Sequence, residues 1–187
     1  MSFEKLTEEF SASLYERKGK VIDFCIDEIT LPNGQKAVRE YIKHKGAAAV
    51  IPVDGEGNVY LVRQYRYAVG RETLEIPAGK LDSAEEDCRE AAMRELREET
   101  GLCAKSLIPI GDYLGSPAIN SEKIGLFLAL EFDGEVEGSL DDDEFLNVVK
   151  MPLSELCAAV MRGEISDGKT AYAALWAERY IAGRGSN

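Results

Sequence analysis

The sequence predicts an α/β protein, and three observations carry that expectation. Runs rich in Val, Ile and aromatic residues fill much of the first half. One run free of Gly and Pro, Glu86 to Thr100, is dominated by helix formers. Two further helix-like segments close the chain. With 187 residues, 45% of them hydrophobic, the chain can bury one core and carry a small appendage.

The elements follow in order. From Gly19 to Lys45 the text reads as a hairpin, "KVIDFCIDEITL" and "KAVREYIKH" joined by "PNGQ", where Asn33-Gly34 is the turn signal. "AAAVIPV" and "NVYLVRQYR" around "DGEG" predict a second hairpin, its first strand apolar throughout and so buried on both faces. "ETLEIPAG" is a short extended piece. In the helix that follows, Ser83 and Glu86 have capping-box spacing and Gly101 suits the position just past the end. "LIPIGDYL", "KIGLFLALEF" and "EFLNVVKM" read as strands. "PLSELCAAVMRG" and "KTAYAALWAERYIAG" read as helices, with Pro152 near the first one's start and Gly163 just past its end.

Charge and composition exclude several classes. Twenty-two Lys and Arg stand against 34 Asp and Glu, a net charge of −12, which argues against nucleic acid or an anionic membrane as partner. The start, "MSFEKLTEEF", lacks a basic segment followed by an apolar run, and no stretch is long and apolar enough to span a bilayer, so a cytoplasmic location is expected. Four cysteines without C-x-x-C pairing predict reduced, structural thiols, and the lone His44 is given no role.

"GEISDGKT", Gly163 to Thr170, satisfies G-x-x-x-x-G-K-[ST], the pattern of a phosphate-cradling loop. A working loop of that kind follows a buried strand and opens a helix inside a large sheet. Here "SELCAAVMR" before it reads as a helix, and little chain remains for a nucleotide-binding sheet. The segment is expected to be a turn feeding the last helix.

Phosphate chemistry is written elsewhere, in "GKLDSAEEDCREAAMRELREETGL". At about 100° per residue, Glu95, Glu98 and Glu99 fall within a sector of about 100° on one helix face. Like charges so placed repel and call for a cation, and hard divalent ions such as Mg²⁺ prefer carboxylate oxygen. Cys88, Ala91 and Ala92 share the sector, and their small size is expected to let a substrate approach.

With Gly79, Arg94, Glu95, Leu96, Glu98, Glu99, Gly101 and Leu102 in place, the chain resembles the Nudix hydrolases, whose signature is G-x5-E-x7-R-E-U-x-E-E-x-G-U. The loop is one residue longer than that pattern. Glu86, which keeps the seven-residue gap to Arg94, is preferred over Glu85 because helical phase is fixed while an extra loop residue costs little. The resemblance implies an α/β/α sandwich with a mixed sheet. It also implies hydrolysis of a nucleoside diphosphate linked to another group, with Mg²⁺ or alternatively Mn²⁺ held by Glu95, Glu99, Glu98 and the carbonyl of Ala78. Arg94 would orient the glutamates.

"IPAGKLD", Ser116-Pro117 and "DGKTAYAALW" are similar to the ADP-ribose pyrophosphatase branch. That likeness implies cleavage of ADP-ribose to AMP and ribose 5-phosphate, with another nucleotide sugar (an ADP-hexose or GDP-mannose) or a catalytically silent ligand sensor as alternatives. By the same likeness Glu144 is the catalytic base, with Asp143 in reserve. Arg66 and Ser116 bind substrate, Glu75 sits at the rim of the metal site, and Glu122 lies near the terminal ribose. Arg39 is a residue that related enzymes donate to a partner subunit, while Arg63 is read as a surface pair. Residues 1–45 are expected to form a β extension that pairs a homodimer, and 46–187 the Nudix domain.

Overall fold

Three antiparallel strands, β1 (Glu9–Lys18), β2 (Asp23–Thr30) and β3 (Lys36–Lys43), form one sheet in the order β1-β2-β3 in the computed structural model, which describes residues 6–83, 85–136, 138, 140 and 145–184. The β2–β3 turn lies where Asn33-Gly34 predicts it. Gly34 has φ of 84°, its N–H donates to the Leu31 carbonyl at 2.8 Å, and the Leu31 N–H donates to that of Gln35. Strand β1 lies outside the predicted hairpin. Its Phe10, Ala12, Leu14 alternation was there to read, but two register shifts, between Phe10 and Ala12 and between Ser13 and Tyr15, interrupt the pairing. Contacts divide the chain into this sheet with residues 114–123, and a larger unit of residues 46–113 and 124–187.

The larger unit runs β4 (Ala47–Pro52), β5 (Asn58–Arg66), a 3₁₀ turn at Tyr67–Val69, β6 (Arg71–Glu75), β7 (Ala78–Lys80), α1 (Cys88–Thr100) and β8 (Leu102–Ala104). It continues through β9 (Ile108–Tyr113), β10 (Ile124–Ala129), β11 (Phe132–Glu135), β12 (Leu146–Pro152), α2 (Leu153–Met161) and α3 (Gly168–Arg184). Its central sheet is mixed, in the order β7-β4-β10-β9, with β4 and β10 parallel and the other pairs antiparallel. A three-stranded antiparallel sheet β12-β5-β6 and a β8–β11 pair complete it.

Every residue of β4 and of β10 is buried, as an apolar run without alternation predicts for a strand covered on both faces. Ala47, Ala49 and Ile51 pack into a core with Leu156 of α2 and Ala173 and Ala177 of α3. Ala48 and Val50 pack into a second core with Ala91, Ala92 and Leu96 of α1. The period of two along β4 therefore sorts the helices onto opposite faces, and the result is an α/β/α sandwich.

Three expectations need correction. The second predicted hairpin is not one: β4 and β5 enter different sheets and are joined by a Val53–Val59 bridge just past β4, with the Asp54 N–H donating to the Asn58 carbonyl. The turn chemistry of "DGEG" is local and says nothing about which sheet each arm joins. Next, the cap of α1 is Asp87, whose carboxylate accepts from the N–H groups of Arg89 and Glu90, so Glu86 lies before the helix and its phase argument does not apply. At the other end, Gly101 takes the left-handed conformation expected of it, φ 77°.

The third correction concerns the small residues of α1. Ala91 and Ala92 are fully buried against the sheet, and a Cβ on Gly125 of β10 would overlap the Cys88 sulfur. Their size admits the helix to the sheet, not a substrate to the helix. Enlarging one should overpack this contact: Ala92→Leu is expected to lose about 1–3 kcal/mol, measured by urea denaturation at pH 7.

Candidate active site

The low seat of α1 puts its glutamates against β7. A Cβ on Gly79 would overlap the Glu95 carboxylate, so only glycine allows that approach. One turn further along, Glu99, itself buried, accepts the Ala78 N–H at 2.9 Å. Arg94 draws the remaining carboxylates together: its Nη1 donates to Glu95 at 2.7 Å and Glu98 at 3.2 Å, and its Nη2 to Glu86 at 3.2 Å and more weakly to the Lys80 carbonyl at 3.4 Å. Glu86 also accepts the Asp82 N–H. The preference for Glu86 over Glu85 thus agrees with the Arg94 contact, although the connection is a side-chain ion pair across the loop and not helical phase.

Among the described residues, no three His, Cys, Asp or Glu side chains stand together as a ready metal cage. The residues nonetheless fit a hard divalent cation by their donor chemistry. Two carboxylates, Glu95 and Glu99, meet the Ala78–Gly79 backbone, Glu98 shares Arg94 with Glu95, and all of these donors are oxygen. A cation held here would compete with Arg94 for the oxygens of Glu95 and Glu98.

Glu75, expected at the rim of the metal site, anchors an ion-pair network. It is 2% exposed and its carboxylate is fully engaged. Oε1 accepts from Arg66 Nε at 2.7 Å and from the Thr73 hydroxyl at 2.6 Å; Oε2 accepts from Arg66 Nη2 at 2.7 Å and from Lys169 Nζ at 2.5 Å. Burial pushes this carboxyl up, but the Arg66 fork, the Lys169 ammonium and the Thr73 hydroxyl outweigh it and bring its pKa from 4.5 to about 2. Arg66 is consequently held by one edge, and its Nη1 has no hydrogen-bond partner among the described residues. Arg63 forms the exposed pair read from the sequence, with Glu72 at 3.7 Å.

Lys169 belongs to "GEISDGKT". The segment follows a helix, as expected, and opens α3, so it lacks the strand that precedes a phosphate-cradling loop. Asp167 caps α3 by accepting the Thr170 N–H at 3.0 Å and the Thr170 hydroxyl at 2.5 Å, while that hydroxyl oxygen accepts the Ile76 N–H at 2.8 Å. Sequence reading gave Lys169, Thr73 and Asp167 no role. The only signal was the "DGKT" itself, weighed as a phosphate loop, set aside as a turn feeding the last helix, and noted as part of the family likeness.

The other sequence-derived residues lie in the smaller unit or outside the described residues. Arg39 on β3 pairs with Glu8 and borders a cleft of about 500 Å³ with Phe10, Ile29, Tyr41 and Ile119. The Ser116 carbonyl accepts from Ile119 and Asn120 in a turn, and Glu122 lies 3.6 Å from His44. Glu144 and Asp143 fall outside the described residues.

The sign of the Glu75 shift sets a pH dependence. A carboxyl whose pKa falls on folding stabilises the fold fully above about 4.5, and the contribution fades as pH drops toward about 2. At pH 7, Glu75→Gln strands two cations. Because Arg66 is partly exposed, the loss should fall somewhat below the roughly 3–5 kcal/mol of a fully buried pair. Urea denaturation from pH 7 to 3.5 should show the gap to wild type narrowing only below about pH 4.5.

Comparison with known proteins agrees with this geometry. The model of the NUDIX domain matches residues 43–173. An ADP-ribose pyrophosphatase of Bacillus subtilis is 44% identical over 156 residues, covering 83% of this chain and 84% of its own. A methanol dehydrogenase activator of Bacillus methanolicus is 37% identical over the same shares of both chains. Among solved structures, an ADP compounds hydrolase superposes with a TM-score of 0.77 over 100% of both chains at 22% identity, a likeness of fold. With a glycine-cradled glutamate helix on an α/β/α sandwich and relatives of this identity across most of its length, the chain belongs to the Nudix family of pyrophosphohydrolases.

Proposed function

We propose that the protein hydrolyses the pyrophosphate bond of ADP-ribose, giving AMP and ribose 5-phosphate. The observation that carries the reading is the closure of Glu95 and Glu99 onto Gly79 and Ala78, which gathers carboxylates beside bare backbone. The choice of ADP-ribose is supported by the 44% identity to a protein of that named activity.

In this reading Glu95, Glu98, Glu99 and the Ala78 carbonyl hold Mg²⁺, or Mn²⁺ in its place. When bound, such a cation offsets charge on phosphate oxygens and lowers the pKa of a coordinated water. Water adds its hydroxyl to one phosphorus and the bridging oxygen leaves with the other phosphate. Glu144 accepts the proton of the attacking water. Arg66, anchored by Glu75, offers its open Nη1 to a phosphate oxygen, and Arg94 keeps the glutamates from repelling one another. Arg39, Ser116 and Glu122 are proposed to contact the nucleoside and ribose portions.

A Mg²⁺-dependent panel of ADP-ribose, ADP-glucose, GDP-mannose, NADH and ATP with product identification tests this. ADP-ribose should be cleaved best, Glu99→Gln should lose about 100-fold or more in kcat, and Arg39→Ala and Glu122→Gln should raise KM. Faster cleavage of GDP-mannose than ADP-ribose by the wild type would overturn the substrate assignment.

We propose further that two copies pair through the sheet β1-β2-β3. Its support is the sheet's exposed apolar side chains, with Phe10 68%, Leu14 55% and Val38 50% exposed on a chain of 20.6 kDa. Sedimentation velocity should give about twice that mass, and Leu14→Glu should shift the species toward one copy.

A further inference from the structure

We propose that Lys169, at the start of α3, is a positioning residue for substrate binding: it clamps the Glu75 carboxylate so that Arg66 presents its open edge in one fixed orientation. The inference rests on the reading above that Arg66 engages an anionic substrate, and adds a residue outside the box to that task.

Four observations lead to it. The Lys169 side chain is 9% exposed, and a buried ammonium is costly unless paired. It is paired with Glu75 at 2.5 Å and Asp167 at 3.1 Å. The Glu75 oxygen it holds is the one that also accepts Arg66 Nη2, so the ammonium and the guanidinium meet on a single atom. Finally, the tether comes from a different element than the residues it steadies: Arg66 ends β5, Glu75 ends β6, and Lys169 opens α3.

Charge and geometry can be told apart. Arg66 and Lys169 are balanced by Glu75 and Asp167, so Lys169 leaves no surplus positive charge for an anion to feel. Its contribution is therefore to orientation. A two-bonded fork fixes the plane of the guanidinium relative to the carboxylate. The fork is only as fixed as that carboxylate, whose own side-chain torsions are held by Thr73 on one oxygen and Lys169 on the other. Without Lys169, Oε2 loses its second donor, Glu75 gains rotational freedom, and Arg66 moves with it. Thr170 beside it, bonded to the Ile76 N–H, fixes the backbone at the same point.

The experiment uses the 187-residue chain with ADP-ribose and Mg²⁺ and has two arms. In the first, the side-chain Nε–H resonance of Arg66 is followed by NMR in wild type and Lys169→Met; a sharp, exchange-protected signal should broaden or shift in the variant. In the second, steady-state kinetics compare wild type, Lys169→Met, Arg66→Lys and the double variant. Lys169→Met should raise KM about 10-fold, roughly the 1.4 kcal/mol of a tenfold constant, with kcat within about twofold. In the Arg66→Lys background the same change should move KM less than about twofold. Lys169→Gln, which keeps an N–H donor, should recover part of the loss and replaces Lys169→Met if that chain does not fold by circular dichroism.

An unchanged Arg66 signal, or a KM effect of equal size with and without Arg66, overturns the role given to Lys169. A changed signal with KM unmoved in every variant removes Arg66 from substrate binding, and the underlying reading fails with it.

Discussion

Everything at the candidate site depends on how closely α1 approaches the central sheet. Cys88, Ala91 and Ala92 present almost no bulk to β4 and β10, and Gly125 yields further room beneath the cysteine sulfur. A helix seated that low brings its next two turns within reach of β7. Glu95 can then rest on Gly79, and Glu99 can accept a backbone N–H. Larger residues at the seam would lift the helix, and the carboxylates would repel one another in solvent instead of meeting the backbone.

The short stretch from Glu75 to Gly79 is thereby held from both helical layers. From one face Glu99 takes the Ala78 N–H and Glu95 covers Gly79; from the other, Lys169 takes the Glu75 carboxylate and Thr170 the Ile76 N–H. Pro77 lies between these fastenings, its carbonyl accepting the Val50 N–H at 2.9 Å. Backbone and side-chain groups in this stretch are committed to the fold before any ligand arrives, which is what a preorganised site requires.

How much of this could be read in advance follows the range of each signal. The α1 helix was legible because a Gly- and Pro-free run and a terminal glycine are both local, although its cap is Asp87 and not the Ser83–Glu86 box. So was the grouping of Glu95, Glu98 and Glu99, which needs only the helical repeat. The same repeat placed Ala91 and Ala92 in that sector but could not say that the sheet covers them. "DGEG" announced a turn and not that its two arms part into separate sheets. Glu75 and Lys169 lie 94 residues apart, so nothing local joins them. In "GKT" the lysine and threonine were conspicuous, and once the phosphate loop was set aside they were left without a role because the carboxylate that faces the lysine was out of view.

That long separation has a consequence for how the molecule comes into being. A growing chain emerges from its amino end, and box helix, glycine cradle and Arg66 are all made well before α3. Until Gly168–Arg184 is available, the Glu75 carboxylate has Arg66 and Thr73 but not its third donor, and the Ile76 N–H lacks the Thr170 oxygen. Contacts this distant in sequence close late, since the loop between them must first be ordered. The residues that would carry the chemistry are thus synthesised early, while the clamp that fastens them arrives with the last helix, so a chain stopped short of Lys169 would hold the complete family signature around an unfinished site.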